Sequence, residues 1–308
     1  MVAEAPRTGF AVIVRVLGSA AGGGVPQWNC ACANCLAARA GTRPRRSSSG
    51  FAVSRDGERW WLVNVSPDVA QQIEAVPALQ PRKGRGTPIA GMLLTDANVD
   101  HLGGLAVLRQ QGEHAFTLYS SATVRAIALE QRAFATFAEP PHAWHALAAG
   151  ETVELEPGLR ATAVAVPGLT PGYAGRIALD DAVVAFALRE DGGAGALFAP
   201  VFSGVSAGLL AAAREAAVAF LDGSFWSDGE LGGFGVEKSA RALGHAPVSG
   251  AGGTLEALAA EPGAASAGRL YFAHLNNTNP MLDPGSHAAR EIARLGFALA
   301  EDGMEFRL

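Results

Sequence analysis

The sequence predicts a single α/β domain, and three observations lead to this prediction. Hydrophobic residues make up 49% of the 308 residues, a composition typical of a folded, sheet-rich protein and not of a disordered one. Short apolar runs of strand length alternate with helical patterns along the chain. No repeat, low-complexity linker or shift in composition divides these patterns, so we expect residues 1–308 to form one domain.

Charge and cysteine usage exclude several classes of protein. The net charge of −5 argues against a nucleic-acid surface, because phosphate binding needs clustered Lys and Arg. No apolar stretch reaches the roughly 18 residues of a membrane helix, and residues 1–7 lack the apolar core of a signal peptide. All 3 cysteines lie within residues 30–35, too close for an ordinary disulfide framework. We therefore expect a cytoplasmic protein without nucleic-acid or membrane partners.

The predicted elements begin with a strand at residues 10–17. The glycine-rich residues 18–24 then form a loop that lacks the Lys-Ser/Thr pair of a phosphate-binding loop, and residues 51–65 form a hairpin with an Asp-Gly turn. Further strands are predicted at 89–94, 116–119, 153–155, 159–166, 182–188, 196–198, 217–221 and 270–273, and helices at 102–111, 120–130, 203–215 and 285–294. Residues 296–308 are predicted to close the chain as a pair of strands.

A polar loop with four candidate metal ligands follows the apolar run at residues 89–94. It holds Asp96, Asn98, Asp100 and His101. A buried strand supplies rigidity and its loop supplies oxygen and nitrogen ligands, which is an economical way to build a metal site. The same residue types are common in turns and at helix starts, so the loop alone leaves a metal site and a plain turn equally open.

Two other apolar runs also end in residue types that bind metals. Residues 217–221 end at Asp222, and residues 270–273 end at His274. In layered α/β proteins, strand ends of this kind gather at one edge of a sheet. Three such endings favour a metal-site cleft over three unrelated turns. His245 lies in a loop between them and either faces the same cleft or ends a helix, and both alternatives stay open.

The cysteines form a second candidate metal site. Cys30, Cys32 and Cys35 are two and three residues apart, and thiolates at this spacing can converge on one tetrahedral zinc. The alternative is three reduced thiols in a turn. We favour zinc, because free cysteines seldom cluster so tightly without a metal. The fourth ligand must come from elsewhere in the chain or from water.

Residues 95–101 resemble the metal loop H-x-H-x-D-H of the metallo-β-lactamase superfamily. Asp100 and His101 match this motif, whereas Asp96 and Asn98 replace its first two histidines. The order of the motifs and their positions at strand ends agree over nearly the whole chain. The resemblance implies the superfamily's α/β fold, an αββα four-layer sandwich in which two mixed sheets lie between layers of helices.

Later positions extend the resemblance and show where the ligand set departs from it. Residues 167–172 are similar to the segment P-G-H-T-P-G, with Leu169 in place of its metal-binding histidine. Asp222 fits the position of the bridging aspartate, and His274 fits that of the final histidine. Zinc hydrolysis is disfavoured by these losses, because a hydrolytic di-zinc site in this superfamily needs several imidazoles. Two histidines, carboxylates and open positions instead suit non-haem Fe(II) and O₂.

A closer resemblance covers three segments. Residues 30–35, 222–226 and 274–280 together are similar to the family of pyrroloquinoline quinone (PQQ) biosynthesis protein B, PqqB. In related phosphodiesterase-like proteins, a histidine three residues after the final ligand completes the cysteine zinc site. Asn277 stands at that position here, so its side-chain oxygen and a water are the two candidates for the fourth zinc ligand.

The resemblance implies an oxidoreductase of PQQ biosynthesis. Its reaction would be the iron- and O₂-dependent hydroxylation of the tyrosine ring in a Glu–Tyr cross-linked precursor. Fe(II) is the expected active-site metal, with zinc as its substitute in purified protein and a further, structural zinc elsewhere. The expected partners are the precursor, O₂ and other proteins of the pathway, and a homodimer is left open. The alternatives are a non-enzymatic carrier of PQQ or its precursor to the periplasm and, third, a metal-dependent phosphodiesterase.

The residues and the resemblance together assign a role to each candidate side chain. The active-site metal is expected among Asp100, His101, Asp222 and His274, with Asp96 as a further ligand. The catalytic set is Asp96, Asn98 and His245, of which the last two would orient substrate or oxygen. The structural zinc is expected at Cys30, Cys32, Cys35 and Asn277.

Overall fold

The structure is a computed structural model and describes residues 12–109, 114–260 and 269–308. Within these residues the strands are β1 Ile13–Gly18, β2 Gly50–Ser54, β3 Trp60–Val63, β4 Ile89–Leu93, β5 Thr117–Ser120, β6 Ala143–Ala146, β7 Thr152–Glu156, β8 Leu159–Ala165, β9 Val184–Glu190, β10 Gly195–Ala199, β11 Val218–Asp222, β12 Leu270–Ala273, β13 Ala298–Leu299 and β14 Glu305–Arg307. The first residues of the predicted opening strand, 10–11, lie outside the described residues.

The helices are short. They are α1 Ala33–Arg39, α2 Val69–Glu74, α3 Val99–Leu102, α4 Leu105–Leu108, α5 Ala122–Glu130, α6 Ala207–Glu215, α7 Thr254–Ala260 and α8 His287–Arg294. Among the described residues, no helix has both the length and the apolar character needed to cross a bilayer. The sequence patterns did not predict β6, α1 or α7.

The strands form two seven-stranded mixed sheets. The first has the order β14-β1-β2-β3-β4-β5-β6, and the second has the order β13-β12-β11-β10-β9-β8-β7. Neighbouring strands are parallel from β3 to β6 and from β10 to β13, and antiparallel elsewhere. The parallel strands β3, β4, β10 and β11 are fully buried, so they read in the sequence as continuous apolar runs and not as alternating ones.

The two sheets pack face to face through large apolar side chains. Phe51 of the first sheet lies 5.0 Å from Phe198 and 4.7 Å from Phe220 of the second, measured between ring centroids. Separate apolar clusters cover the outer faces: Leu209 of α6 and Ile292 of α8 pack on the second sheet, as other helices do on the first. This arrangement confirms the predicted αββα sandwich.

The prediction of a C-terminal strand pair was wrong. The strands β13 and β14 exist, but β13 pairs with β12 in the second sheet and β14 pairs with β1 in the first. Each strand extends an edge of its sheet, and the turn between them crosses from one sheet to the other. Buried Arg46 holds this crossing through the backbone carbonyl of Ala300 and the Ser19 hydroxyl. The edges of β12 and β1 present unpaired backbone N–H and C=O groups, and each strand satisfies one of these edges.

The helix predicted at residues 102–111 is divided into α3 and α4 as far as the structure describes it; residues 110–111 lie outside the described range. Gly103 and Gly104 separate the two helices. A Cβ on Gly104 would lie only 2.2 Å from the carbonyl oxygen of Ser66. This close backbone approach requires glycine and holds the metal loop against the loop after β3.

Both sheets contribute strand ends to one cleft. The loop 95–101 follows β4 of the first sheet, whereas Asp222 ends β11 and His274 follows β12 in the second. The backbone N–H of Val184 donates to the carbonyl of Thr95 at 2.8 Å and joins the two sheets there. The polar residues that the sequence places at three strand ends therefore meet where the sheets converge.

Candidate metal centre and thiol cluster

Three predicted ligands converge in the cleft. The ligand atoms of Asp100, His101 and His274 all lie within 4.8 Å of one another. Asp100 Oδ2 is 3.1 Å from His274 Nε2 and 4.0 Å from His101 Nε2. Two ligand atoms that each lie about 2.0–2.2 Å from one metal ion are separated by a distance similar to those between Asp100 and the two histidines.

A second group shares His274 with the first. The ligand atoms of Asp222, His245 and His274 also lie within 4.8 Å of one another. His245 Nδ1 is 2.8 Å from Asp222 Oδ2, and the His245 ring stacks on that of His274 with a centroid distance of 5.3 Å. Of the two alternatives for His245, the structure supports the cleft.

Ser224 connects the members of the second group. Its hydroxyl lies 2.6 Å from Asp222 Oδ1, 2.8 Å from His274 Nδ1 and 3.0 Å from His245 Nδ1. A hydroxyl that donates to the carboxylate accepts from His274 Nδ1–H, which leaves Nε2 of that ring as the lone-pair atom facing Asp100. The sequence offered a signal for Ser224, because it is the third residue of the motif that begins at Asp222, but it was not predicted as a site residue.

Asp96 is fully buried, and both of its oxygens are occupied. Oδ2 lies 2.6 Å from His101 Nδ1 and accepts from the Thr95 hydroxyl at 2.7 Å. Oδ1 accepts from the backbone and side-chain nitrogens of Asn98 at 2.9 and 2.7 Å. These contacts favour an orienting role for Asp96 over the ligand role expected from the sequence, and they direct the Asn98 amide to Asp96 instead of to a substrate.

Asn64, which follows β3, supports Thr95, the residue before Asp96. No sequence pattern indicated this contact. The Asn64 side chain accepts from the Thr95 backbone N–H and donates to the Thr95 hydroxyl, both at 2.9 Å. Asn64 has φ of +62° and His274 has φ of +57°, a left-handed conformation that costs a non-glycine residue about 1–2 kcal/mol. The fold maintains this strain on both sides of the cleft.

In the centre, the carboxylates and the imidazoles stabilise each other's charged forms. Burial opposes ionisation of His101, but the carboxylates of Asp96 and Asp100 outweigh it and raise the pKa of His101 to about 9. The same charges act in reverse: against burial, the imidazoles lower the pKa values of Asp100 and Asp222. The carboxylates of Asp96, Asp100 and Asp222 thus stay ionised at neutral pH, and this negative charge suits a cation in the cleft.

One nitrogen of the centre lacks a hydrogen-bond partner within the described residues. His101 Nε2 is buried and has no hydrogen-bond partner among the described residues. A buried polar atom without a partner costs about 1–3 kcal/mol. A metal ion that displaces the Nε2 proton, at the position where Nε2 faces Asp100 and His274, would satisfy this nitrogen, so the residues present fit a metal.

The thiol cluster forms as the spacing predicts. The sulfur atoms of Cys30, Cys32 and Cys35 lie within 4.8 Å of one another, and all three thiols are free. Burial and the neighbouring thiols raise the pKa of Cys35 to about 11. Three thiols this close resist joint ionisation unless a cation binds, because each thiolate repels the next.

Asn277 completes the thiol cluster. Its Nδ2 lies 3.0 Å from the sulfur of Cys30, 3.6 Å from that of Cys32 and 3.4 Å from that of Cys35. The two ends of an amide have nearly the same shape, so a half-turn of the side chain would direct Oδ1 into the cluster. Asn277 and water therefore stay the two candidates for the fourth zinc ligand.

Known proteins agree with these motifs. Residues 59–275 match the family model described as the beta-lactamase superfamily domain. The chain is 40% identical to the coenzyme PQQ synthesis protein B of Methylobacterium nodulans over 302 residues, which cover 95% of this chain and 99% of that protein. The protein of the same name from Ruegeria pomeroyi is 38% identical over 299 residues, with equal coverage. The chain belongs to the coenzyme PQQ synthesis protein B (PqqB) family.

Solved structures give the same assignment. Zn²⁺-bound PqqB from Methylobacterium extorquens matches with a TM-score of 0.88 and 36% identity, and the match covers 96% of this chain and 100% of that one. A diphosphatase from the PhnP family matches with a TM-score of 0.67 over 96% and 97% of the two chains. At 19% identity this second likeness shows the fold alone.

In this PqqB-family chain, a loop beside Leu169 supplies an imidazole that the superfamily segment does not contain. Leu169 stands where the superfamily segment has a histidine, and its side chain lies 3.6 Å from the position of a Cβ on Gly244. The next residue, His245, brings an imidazole into the cleft. The cleft therefore contains a third imidazole besides those of His101 and His274.

Proposed function

We propose that this PqqB-family protein hydroxylates the tyrosine ring of a Glu–Tyr cross-linked precursor of PQQ, using O₂ and Fe(II). The observation that carries the proposal is the convergence of Asp100 with two imidazoles, one of which, that of His101, has an orphaned Nε2. Two histidines and a carboxylate with open positions form the ligand set of non-haem iron oxygenases.

Asp100, His101 and His274 would hold the metal, and Asp222 with His245 would complete the far side of the centre. When bound, Fe(II) supplies the electron transfer to O₂ that no protein side chain provides. Asp96 fixes the tautomer of His101 by accepting from Nδ1–H, and Ser224 does the same for His274. Each orienting contact raises the affinity of its ring for a metal.

His245 is placed to move a proton. Asp222 Oδ2 lies 2.8 Å from its Nδ1, and 13% of the His245 side chain is exposed. Hydroxylation replaces a ring C–H by C–OH, so a base must remove the proton that leaves the ring carbon. His245 Nε2 is the nitrogen left for this transfer, and Asp222 stabilises the imidazolium that results.

The reaction balances with an external reductant. One oxygen atom of O₂ enters the ring C–H bond and the other becomes water. This step consumes two electrons and two protons, so the proposal includes a reducing co-substrate as well as the precursor. A small electron donor such as ascorbate would serve in an assay.

The thiol cluster, with zinc bound, would brace the loop after His274. Asn34 from α1 donates to the carbonyls of Asn277 and Asn279, both at 3.0 Å. Asn279 in turn donates to the carbonyls of Gly223 at 2.8 Å and Ser224 at 3.2 Å. These contacts connect the cysteine loop to the hydroxyl that orients the imidazoles, so a zinc there would support the geometry of the active site.

The proposal is tested by direct product analysis. Anaerobically purified, iron-loaded protein is incubated with the cross-linked Glu–Tyr compound, ascorbate and O₂, and the product is examined by mass spectrometry. We expect the wild type to add one oxygen atom to the ring and His274→Ala to add none. His287→Ala on α8, an exposed histidine, is the control and should retain the activity.

Other outcomes would favour the alternatives. Tight binding of PQQ without any gain of oxygen would favour a carrier. Hydrolysis of bis(p-nitrophenyl) phosphate that disappears in His274→Ala would favour a phosphodiesterase. We further propose that residues 1–308 act as one domain, in a reducing compartment such as the cytoplasm, because free thiols form the cysteine cluster. Other PQQ pathway proteins are the proposed partners.

A further inference from the structure

A short segment outside the candidate metal ligands connects two loops that border the cleft. Residues 171–179, named the strap here, contact both walls. Tyr173 Oη donates to the carbonyl of Ala97 at 2.5 Å, between Asp96 and Asn98. Arg176 Nη1 donates to the carbonyl of Ala242 at 3.2 Å, three residues before His245. The strap therefore bridges the metal loop and the loop of the candidate base.

The backbone of the strap is held firmly. Thr170 N–H donates to the carbonyl of Ile177, and Ile177 N–H donates to the Thr170 hydroxyl, both at 2.8 Å. Arg176 has φ of +54°, a left-handed conformation that favours glycine. Among the described residues, the other non-glycine positions with positive φ are Asn64 and His274, which both border the centre. The fold thus keeps Arg176 beside the loop of His245 although the arginine backbone is strained.

Arg176 presents a cation that no acid neutralises. None of the carboxylates in the described part of the chain lies within 4.0 Å of its guanidinium, whereas Arg160 and Arg189 at the surface of the second sheet pair with Asp191 and Glu215. A guanidinium has five N–H donors, and the bond to Ala242 uses one. Arg176 is partly exposed, so the remaining donors are accessible to a ligand.

The strap also exposes apolar surface at the same place. Tyr173 is 48% exposed and Ile177 is 54% exposed, although both belong to a hydrogen-bonded turn. Tyr173 and Arg176 lie three residues apart on the strap, so together they match a ligand that carries both an aromatic ring and a carboxylate.

We propose that the strap is the substrate-recognition site, in which Arg176 binds a carboxylate of the substrate and the Tyr173 ring packs against its aromatic part. This inference rests on the proposed function for its substrate class, an aromatic amino-acid derivative with several carboxylates. The planar guanidinium binds a carboxylate through two parallel hydrogen bonds, which fixes the orientation of the ring relative to the metal as well as its affinity.

Equilibrium binding tests the inference without any turnover. Zinc-loaded protein is titrated calorimetrically with the cross-linked Glu–Tyr compound and with a version of it whose carboxylates are amides. We expect Arg176→Gln to weaken binding of the acid about tenfold or more, because a charge-assisted hydrogen bond is lost. It should leave binding of the amide unchanged, and Arg176→Lys should recover part of the loss.

Two further variants separate recognition from folding. Arg176→Gly suits the left-handed backbone, so it should keep the melting temperature and still lose the preference for the acid. Arg290→Gln is the matched control, since Arg290 on α8 is also exposed and donates to one backbone carbonyl, that of Gly285. It should leave the affinity unchanged.

The outcomes distinguish this inference from the proposed function. Equal affinity of wild type and Arg176→Gln for the acid, or binding that does not distinguish acid from amide, overturns the recognition site. Absence of any binding by the wild type overturns it as well. Binding that depends on Arg176, in a protein that adds no oxygen when loaded with iron, supports the recognition site and contradicts the hydroxylase.

Discussion

His101 and Asp96 form a fully buried pair in which Nδ1 lies 2.6 Å from Oδ2, while Nε2 of the same ring has no partner among the described residues. The carboxylate orients the ring, and the free nitrogen faces Asp100 and His274. This division of tasks predicts that Asp96→Asn lowers the affinity for the active-site metal about 10–100-fold without preventing folding. Competition with a chelator measures the affinity.

A matched substitution controls for the lost charge. Asp191→Asn removes a carboxylate that pairs with Arg160 at the surface of the second sheet and should leave metal affinity unchanged. If Asp96→Asn binds metal as tightly as the wild type, the orienting role of Asp96 is wrong.

Gly22 predicts a steric test of Asp100. A Cβ at Gly22 would lie 3.1 Å from both Cγ and Oδ2 of Asp100, which is tighter than ordinary contact. Gly22→Ala should therefore displace Asp100 and reduce metal affinity by about tenfold, an effect of roughly 1.4 kcal/mol. Gly232→Ala, where nothing lies within 4 Å of the added Cβ, should have no effect. Equal affinities in the two variants would contradict the role of the glycine loop.

Cys32→Ala tests the structural zinc. The substitution removes one of three converging sulfur atoms, so we expect the loss of one zinc equivalent and a decrease in the free energy of unfolding of more than about 3 kcal/mol, beyond the range of ordinary substitutions. Trp28→Ala in the same loop is the control, because Trp28 is 86% exposed. Zinc content and urea unfolding check both variants. Retained zinc and an unchanged unfolding midpoint in Cys32→Ala would contradict a structural zinc at the thiol cluster.

Asn277→His should increase the affinity of the thiol cluster for zinc by tenfold or more. Asn277 already reaches all three sulfur atoms, and an imidazole is a stronger zinc ligand than an amide oxygen. Asn277→Ala should lower the affinity, with water left as the fourth ligand. Zinc release to a chromophoric chelator gives the order. An affinity that stays the same in both variants would exclude Asn277 as a neighbour of the metal.

Glu230 predicts a pH dependence of stability. Its oxygens accept from the Thr278 hydroxyl at 2.6 Å and the Trp226 N–H at 2.7 Å, and burial raises its pKa from 4.5 to about 7. A raised folded-state pKa stabilises the fold fully below 4.5, and this contribution is lost as pH rises through about 7. Glu230→Gln does not ionise and should escape the loss, which we expect to be about 1–3 kcal/mol.

Urea unfolding at about pH 5 and about pH 8 checks this expectation, because subtraction of the variant from the wild type removes the titration of all other groups. Glu256→Gln on α7, at an exposed carboxylate, is the control and should follow the wild type. A wild type that gains stability relative to Glu230→Gln at the higher pH would reverse the sign and contradict the account.

The sequence predicted the parts of the site that depend on strand ends. Asp222 pairs in register with Ala273, so His274 must emerge beside it. Apolar runs reveal the strands, and parallel strands place their carboxyl ends together, so both residues could be assigned to one cleft before the structure was known.

Other parts of the site depend on tertiary contacts that no local pattern carries. Asn64 supports Thr95 across 31 residues of sequence, and Ser224 links the rings of His245 and His274 from two separate loops. The orienting role of Asp96 arises from burial and from the direction of the His101 ring, neither of which spacing reveals. Arg176 is distinguished by its left-handed backbone conformation and by the absence of a paired acid within the described residues. Neither property can be read from the sequence.

The central claim is that the Asp100, His101 and His274 centre directs oxygen from O₂ into an aromatic ring. Iron-loaded protein, ascorbate and the cross-linked Glu–Tyr compound are incubated under isotopically heavy O₂ in ordinary water, and in parallel under ordinary O₂ in heavy-oxygen water. We predict one heavy oxygen atom in the product of the first reaction and none in that of the second. Label that comes from water, or a substrate recovered unchanged, would contradict the account.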